Sequence, residues 1–395
     1  MIQVENLSKT YPNQSVPAVD GVSFTVPQGG FYTLLGPSGC GKTTTLRCIA
    51  GLERPDGGTI SLGNTVVVSS RSYVPTYRRD IGMVFQSYAV WPHMSVFENV
   101  AFPLRVGHTK VPRSRLEERV GTALELVGLT GFERRMATQL SGGQQQRLSV
   151  ARALVREPDV LLLDEPLSNL DAKLRERMRS ELLLIQRRVG ITTLFVTHDQ
   201  VEALSMSDQI AIMDRGRIIQ EGPPREVYQR PASQFVAGFI GSTNLINGTV
   251  RAADPGSGLH DVETAAGTLR ARVEGIRPGE EAVVAIRPED VILHRLPHAD
   301  GDIAARLNVL EGEVQIGLFT GVLVEYHIGI GTHVLQARAS SRFDLKPGDR
   351  VLVELPSDEI HVFGLGGRAS GAAAAQRSAS SGAEADADRI PSGTP

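Results

Sequence analysis

A glycine-rich segment carries the strongest chemical signal in this 395-residue sequence. Gly36–Thr43 reads Gly-Pro-Ser-Gly-Cys-Gly-Lys-Thr and fits the phosphate-binding pattern G-x-x-x-x-G-K-[ST] in full. Its glycines allow backbone N–H groups to converge on phosphate oxygens, while Lys42 reaches the β- and γ-phosphates and Thr43 offers a hydroxyl to Mg²⁺. The predicted nucleotide contacts in this part of the chain are Gly36, Pro37, Ser38, Gly39, Cys40, Gly41, Lys42, Thr43 and Thr44.

A pair of acids follows an apolar run later in the chain. Val160–Leu163 is apolar at every position, as expected for a strand covered on both faces, and it leads into Asp164 and Glu165. Carboxylates at the carboxyl end of a parallel strand face the ligand crevice of an α/β sheet. Asp164 therefore suits Mg²⁺ binding, and Glu165 suits orienting or polarising an attacking water.

His198 and Gln86 follow two other apolar runs. His198 comes after Thr193–Thr197 and is interpreted as a γ-phosphate contact, although a lone histidine is more often a surface or core residue. Gln86 comes after Ile81–Phe85 and offers an amide to Mg²⁺ or its water, a role that spacing alone leaves open. The predicted catalytic residues are Glu165, His198 and Gln86, and the predicted metal ligands are Thr43, Gln86 and Asp164.

A second helix start offers another place for an anion. Ser141 is a natural N-cap, and the two glycines after it bare backbone N–H groups. The segment Ser141, Gly142, Gly143 and Gln144 either binds a further phosphate or begins an ordinary capped helix.

The base of the nucleotide is predicted by exclusion. Guanine-specific proteins with this type of loop carry an Asn-Lys-x-Asp element, and none of the five lysines lies in one, which favours ATP. Tyr11 either stacks on adenine or is a buried core tyrosine. Cys40 is interpreted as an inert small residue, although a helix N-terminus can lower the pKa of a thiol.

The apolar runs also predict the scaffold that positions these residues. Strand-like runs such as Phe31–Leu35 alternate with helix-like stretches such as Ser114–Val127 and Gln145–Arg156, the latter stopped by Pro158. Such alternation predicts an α/β core with a largely parallel sheet.

Composition narrows the class of protein. Lys and Arg total 41 against 44 Asp and Glu, and a net charge of −3 argues against a protein built mainly to hold nucleic acid. No apolar run reaches about 18 residues, and Met1–Glu5 does not begin a signal peptide. Two cysteines, Cys40 and Cys48, cannot form a disulfide scaffold. We expect a soluble, cytosolic protein.

In this order, the motifs resemble the nucleotide-binding subunit of an ATP-binding cassette (ABC) transporter over about residues 2–241. The matching elements are the Walker A loop Gly36–Thr43, the Q-loop Gln86, the signature Leu140–Gln144, the Walker B strand with Glu165, the D-loop Ser168–Asp171 and the switch His198. The resemblance implies a P-loop NTPase core with a helical subdomain. It also implies an ATPase that works with ATP and Mg²⁺ and drives solute transport.

The resemblance implies partners as well. ATP would lie between the Walker A loop of one subunit and the signature of another, in a head-to-tail dimer that we expect to be a homodimer. Transmembrane permease subunits would dock at residues 87–97, which contain the single Trp, Trp91, unless these side chains only fill the helical subdomain. An extracytoplasmic solute-binding protein would act indirectly, and the chain would lie at the cytoplasmic face of the membrane.

Beyond Ser242 the sequence changes to short β-rich runs, which predict a small all-β barrel. The runs are Val283–Ile286, Val322–Tyr326, His333–Ala337 and Val351–Leu355. Gly241–Asn244 and Ile286–Asp290 make this region similar to the transport-associated, OB-like (TOBE) regulatory domain of one importer subgroup. We predict an ATPase domain at 1–241, a TOBE domain at 242–365 and a disordered tail at 366–395, which has too few large apolar side chains to form a core.

Two Pro-Gly turns suggest a repeat within the β-rich region. Pro278-Gly279-Glu280 and Pro347-Gly348-Asp349 each precede a strand, which is either an internal repeat or a coincidence of two turns.

The leading hypothesis is the ATPase subunit of an importer for ferric iron, a polyamine, a phosphonate or a sugar. The segment around Trp91 favours the first three over a disaccharide. The alternatives are a soluble ABC ATPase that acts on nucleic acid and an exporter subunit. The barrel could also bind a solute or a signalling protein.

Overall fold

A computed structural model describes residues 1–106, 112–253, 258–296 and 306–365. The chain divides into two compact units, Met1–Gln229 and Arg230–Pro395. Residues 230–241, which we predicted to close the ATPase domain, group with the second unit. The predicted tail at 366–395 lies outside the described residues. No helix in the described ranges is long and apolar enough to cross a membrane.

The first unit alternates strands and helices along the chain. Its strands are β1 (Ile2–Lys9), β2 (Val19–Val26), β3 (Phe31–Leu35), β4 (Gly57–Leu62), β5 (Thr65–Val68), β6 (Ile81–Val84), β7 (Val160–Asp164), β8 (Thr192–Thr197), β9 (Gln209–Asp214) and β10 (Arg217–Gly222). Its helices are α1 (Lys42–Ala50), α2 (Val96–Val106), α3 (Arg113–Leu126), α4 (Gly142–Leu154), α5 (Ala172–Val189), α6 (Gln200–Met206) and α7 (Pro224–Gln229).

A mostly parallel sheet in the order β10-β9-β3-β8-β7-β6 positions the predicted catalytic residues. Strands β9, β3, β8, β7 and β6 run parallel to one another, so their carboxyl ends meet at one edge, and β10 pairs antiparallel with β9. Leu35 pairs with Thr197, and Asp164 pairs with Val196. The residues that follow these strands therefore start side by side. A second, antiparallel sheet has the order β2-β1-β4-β5.

Strands β3, β7 and β8 of the parallel sheet are buried at every position because cores cover both faces of the sheet. In β7, Leu161 and Leu163 belong to one hydrophobic cluster, and Val160 and Leu162 belong to another. The first cluster includes side chains of α2, α3 and α4, which form the helical subdomain. The predicted α/β core with a helical subdomain is confirmed.

The helix after the signature begins earlier than the sequence predicted. Helix α4 starts at Gly142 instead of Gln145, since Ser141 accepts a hydrogen bond from the Gln144 N–H and the Gln144 side chain accepts one from the Ser141 N–H. This capping box stabilises a first turn that two glycines would otherwise disfavour.

The second unit is a helix followed by antiparallel sheets. It contains α8 (Gln234–Phe239) and the strands β11 (Asn244–Ala253), β12 (His260–Thr264), β13 (Gly267–Ala271), β14 (Glu281–Ile286), β15 (Ile292–Arg295), β16 (Val309–Phe319), β17 (Leu323–Ile330), β18 (His333–Ser340), β19 (Arg350–Glu354) and β20 (His361–Gly364). The sheet orders are β13-β12-β11-β14-β20 and β15-β19-β16-β17-β18, and one hydrophobic cluster lies between them. The predicted small β domain is confirmed.

The two Pro-Gly turns have the same hydrogen bonds. The N–H of Gly279 donates to the carbonyl of Val250 at 2.7 Å, and the N–H of Gly348 donates to that of Val314 at 2.8 Å. Val250 and Val314 in turn donate to the residues after these glycines, Glu280 and Asp349. Both glycines have φ near +90°. The structure favours the internal repeat over a coincidence of turns.

Candidate active site

The glycine-rich loop holds its own lysine in place. Lys42 is 4% exposed, and its Nζ donates to the carbonyls of Gly36 at 2.8 Å and Pro37 at 3.0 Å. The loop thus points an ammonium group at the start of α1, where the helix dipole also favours an anion. Phosphate oxygens would replace these carbonyls as the partners of Lys42.

Two positions of the loop have no room for a side chain. A Cβ at Gly36 would lie 2.3 Å from the carbonyl oxygen of Met213, and a Cβ at Gly41 would lie 2.2 Å from that of Ala18. Gly41 also has φ of 107°, a conformation that L-residues rarely adopt. The loop is therefore packed against backbone at these two positions, where only glycine fits.

Thr43 and Asp164 form an oxygen pair beside this loop. The Thr43 hydroxyl donates to Asp164 Oδ1 at 3.3 Å, and Asp164 is 6% exposed. Burial raises the pKa of Asp164, while the hydroxyl of Thr43 and the charges of Arg47 and Lys42 lower it. A buried carboxylate with a neighbouring hydroxyl suits a hard cation, because the cation offsets the cost of ionising the acid. These residues fit Mg²⁺.

Glu165 contacts the side chains of the other two predicted catalytic residues. His198 Nδ1 lies 3.1 Å from Glu165 Oε2, and Gln86 Nε2 donates to the same oxygen at 3.4 Å. The backbone of Glu165 has φ of 45°, and its N–H donates to the carbonyl of Val196 at 3.0 Å. A non-glycine residue in this region marks a constrained position, as found at functional sites. Two side chains predicted from separate motifs thus converge on one carboxylate oxygen of Glu165.

The D-loop is hydrogen-bonded to the same group of residues. Ser168 Oγ donates to the Glu165 carbonyl at 2.9 Å, and Asn169 Nδ2 donates to the Gln86 carbonyl at 2.8 Å. The loops after β6 and β7 are therefore joined by side chains as well as by the sheet.

The signature residues are the part of the predicted site that this arrangement does not include. Ser141 and Gln144 hydrogen-bond each other at the start of α4, and Ser141 and Gly142 are exposed. In the described part of the chain, no hydrogen bond or ion pair joins Ser141–Gln144 to Gly36–Thr43. The second predicted anion site is thus separate from the first within one copy.

Tyr11 and Cys40 differ in exposure. Tyr11 is half-buried, and its hydroxyl lies 3.4 Å from the Thr44 hydroxyl, so it is not a core tyrosine and stays a predicted adenine contact.

Cys40 is buried, and the pKa of its thiol is raised because the effect of burial is larger than the opposing effect of Lys42. The helix N-terminus does not make Cys40 a reactive thiolate.

Sequence reasoning missed Arg152, which supports the segment after Gln86. Arg152 is 8% exposed, and it donates to the carbonyls of Tyr88 at 3.0 Å and Ala89 at 2.5 Å. Its guanidinium also lies 4.6 Å from the centroid of the Trp91 ring. Burial lowers the pKa of Arg152 to about 10. The available signal was a charged residue in an otherwise apolar stretch of α4.

Comparison with known families agrees with this geometry. The ABC transporter family model matches residues 19–168, and the TOBE domain model matches residues 284–363. The first match includes the glycine-rich loop, Gln86, the signature, Asp164 and Glu165.

Named relatives resemble the chain over most of its length. A spermidine/putrescine import ATP-binding protein of Rubrobacter xylanophilus, PotA, is 46% identical, with 93% of this chain and 94% of the relative covered. A trehalose/maltose import ATP-binding protein of Thermococcus litoralis, MalK, is 45% identical, with 88% and 94% covered. The Fe(3+) ions import ATP-binding protein FbpC 1 of Rhizobium meliloti is 47% identical, with 79% and 83% covered.

Solved structures match the first unit. A dimeric post-hydrolysis state of the ATP-binding cassette MJ0796, bound to ADP and Pi, is 31% identical and has a TM-score of 0.50, with 57% of this chain and 99% of that chain covered. CbiO1 from Clostridium perfringens, part of the ABC transporter complex cbiONQ, is 31% identical and has a TM-score of 0.53, with 58% and 90% covered. The chain belongs to the ABC transporter family, as an ATP-hydrolysing import subunit with a TOBE domain.

Proposed function

We propose that the chain hydrolyses Mg²⁺-bound ATP at the edge of the parallel sheet and so powers the uptake of a small solute. The observation that carries the proposal is the convergence of Gln86 and His198 on Glu165, next to the Lys42 and Asp164 side chains. A carboxylate with a histidine and an amide beside it can accept a proton from water while both neighbours stay in reach of a γ-phosphate.

Each residue then has a distinct role. Glu165 accepts the proton of the attacking water, Lys42 balances the charge that develops on the β- and γ-phosphates, and His198 contacts the γ-phosphate. Thr43, Asp164 and Gln86 hold Mg²⁺, which supplies charge neutralisation at the phosphate oxygens. Tyr11 contacts adenine.

The proposal includes a second copy of the chain. Ser141 and Gly142 are exposed at the start of α4, and no hydrogen bond in the described part of the chain joins Ser141–Gln144 to the glycine-rich loop of its own copy, so this helix start would contact the γ-phosphate of another copy. The dimeric state of MJ0796 supports this arrangement. Closure of the dimer on ATP and its opening after hydrolysis would drive permease subunits at the cytoplasmic face of the membrane, with a solute-binding protein on the other side.

The identity of the solute does not follow from this chain. Relatives named for polyamine, maltose and ferric-iron import are 45–47% identical to it, so overall identity does not separate these solutes. Trp91, on which the sequence preference rested, packs against Phe102 with ring centroids 4.4 Å apart and lies beneath Arg152. Its ring is engaged within its own subdomain, and we propose that the permease and the solute-binding protein select the solute.

The decisive test is Glu165→Gln in the full-length chain, which keeps the side-chain size and removes the base. We expect kcat for ATP hydrolysis to fall by about 10²–10⁴-fold. ATP binding should persist, and a closed dimer should accumulate with ATP. Glu117→Gln, an exposed acid on α3, is the matched control. Turnover in Glu165→Gln equal to that of the control would remove Glu165 from the mechanism.

A transport test follows from the same proposal. The permease subunits that co-purify with the chain would be reconstituted in vesicles and screened for solutes that stimulate ATP hydrolysis. Stimulation by one solute class identifies the cargo. Tight, salt-sensitive binding to DNA or RNA without a membrane partner would contradict import.

A further inference from the structure

Arg175 connects two loops of the active site. It lies in the first turn of α5, where its Nη2 donates to the carbonyl of Leu170 at 3.0 Å and its Nη1 pairs with Asp199 Oδ2 at 3.5 Å. Leu170 belongs to the D-loop, and Asp199 follows His198 directly in the chain. A single guanidinium thus joins the D-loop to the segment that carries the switch histidine.

The Asp199 end of this bridge is held on both sides. The N–H of Asp199 donates to the Thr197 hydroxyl at 3.0 Å, and Asp199 Oδ1 accepts from the N–H groups of Val201 at 2.8 Å and Glu202 at 3.1 Å. His198 lies between Thr197 and Asp199. Because both neighbours are fixed, the place of Asp199 sets the backbone from which the His198 ring extends.

The Leu170 end leads back to the catalytic carboxylate. Ser168, two residues before Leu170, donates to the carbonyl of Glu165. Since His198 also contacts Glu165 Oε2, the contacts form a closed ring from Glu165 through the D-loop, Arg175 and Asp199 to His198 and back. Removing Arg175 opens the ring and leaves the His198–Glu165 contact without this support.

We infer that Arg175 is a positioning residue that keeps His198 on Glu165 and transmits displacement of the D-loop to the histidine. The inference rests on the proposed function, in which both side chains act on ATP. The role requires a guanidinium because its donors point at two acceptors in different directions, whereas the single nitrogen of a lysine cannot reproduce that fork.

Steady-state ATP hydrolysis by the full-length chain tests the inference with Arg175→Lys and Asp199→Asn. The asparagine keeps an oxygen to cap α6 and loses the charge that pairs with Arg175. We expect each variant to lower kcat about tenfold with little change in KM for ATP, as misplacement of a catalytic group does. The double variant should be no slower than the slower single variant. Arg187→Lys is the matched control, because Arg187 lies on the same helix and pairs with Asp208 at 2.5 Å, outside the ring.

Hydrogen exchange of the same proteins supplies a readout that does not depend on turnover. Residues 196–203 should exchange faster in Arg175→Lys than in Arg187→Lys, with the melting temperatures of the two variants alike. The inference is overturned if kcat is the same in these two variants, if the losses in Arg175→Lys and Asp199→Asn multiply, or if exchange at 196–203 is unchanged. Loss of turnover in Glu165→Gln together with any of these results would leave the proposed function intact and reject the bridge alone.

Discussion

Alanine at Gly41 should destabilise the ATPase unit far more than alanine at Gly39. Both glycines have positive φ, 107° at Gly41 and 82° at Gly39. A Cβ at Gly41 would lie 2.2 Å from the carbonyl oxygen of Ala18, whereas a Cβ at Gly39 would meet nothing within 4 Å. The two substitutions therefore share the backbone strain, and only Gly41→Ala adds a collision with backbone that cannot move away cheaply.

The magnitudes follow from these two terms. Backbone strain for a non-glycine residue at such φ costs on the order of 1–3 kcal/mol, and overpacking of a filled site adds about 1–3 kcal/mol. We expect the free energy of unfolding to fall by about 2 kcal/mol in Gly39→Ala and about 4 kcal/mol in Gly41→Ala. The loss of unfolded-chain entropy that alanine brings is the same at both positions and cancels in the comparison.

Calorimetry of the full-length variants without nucleotide measures this difference. The transition of the ATPase unit is the one that Mg²⁺ and ATP raise in the wild type, because a ligand stabilises the unit that binds it. For a unit of 229 residues, 1 kcal/mol corresponds to about 2–4 °C, so Gly41→Ala should melt about 4–8 °C below Gly39→Ala. Equal melting temperatures would refute the reasoning from the collision with Ala18.

Three further predictions concern the shared site, the metal ligand and the support of the Q-loop. Ser141→Arg should block dimer closure, and a mixed dimer with one altered copy should lose activity; full activity at both sites of that dimer would exclude a shared site. Burial raises the pKa of Asp164, and protons compete with Mg²⁺ for its carboxylate. As the pH is lowered, ATP hydrolysis should therefore be lost at a higher pH than the one at which an ordinary aspartate titrates. A tenfold increase in Mg²⁺ should move the midpoint to lower pH, and a fixed midpoint would separate Asp164 from metal binding. Arg152→Met should lower the free energy of unfolding by about 2 kcal/mol, since two carbonyls lose their donor while the cost of burying a charge is also removed; unchanged melting would contradict this.

The sequence predicted the chemical centre well because its chemistry allows few residue types. Strand β3 has the predicted bounds, Phe31–Leu35, and β7 consists of the apolar run Val160–Leu163 and Asp164. The carboxyl-end rule for parallel strands then brought Gln86, Glu165 and His198 to one edge, as the hydrogen bonds show. Motif and topology were enough for these residues because Glu165 and His198 follow a strand directly and Gln86 lies two residues after the end of β6.

The sequence was less informative where hydrogen bonds outweigh local propensity. Gly142 and Gly143 argue against a helix, yet α4 begins with them because Ser141 and Gln144 cap each other. We placed the boundary of the ATPase domain at Gly241, and residues 230–241 group with the second unit. Arg287 donates to the carbonyl of Ile240 at 2.7 Å, and the side chain of Asn244 exchanges two hydrogen bonds with the backbone of Gln336. This junction is part of the β unit.

Three buried arginines show why hydrogen bonds that stabilise loops are hard to predict from the sequence. Among the described residues, Arg79, Arg152 and Arg287 are each less than 9% exposed, and each donates to backbone carbonyls. Their acceptors include carbonyls at the end of α1, after Gln86 and at the junction before β11. A guanidinium can satisfy several carbonyls at once, and a lysine cannot do so with the same geometry. The sequence has 36 arginines and five lysines, and at these three positions the choice of arginine is structural. Because the acceptors of these hydrogen bonds are backbone carbonyls, a search for paired charges in the sequence does not find these contacts.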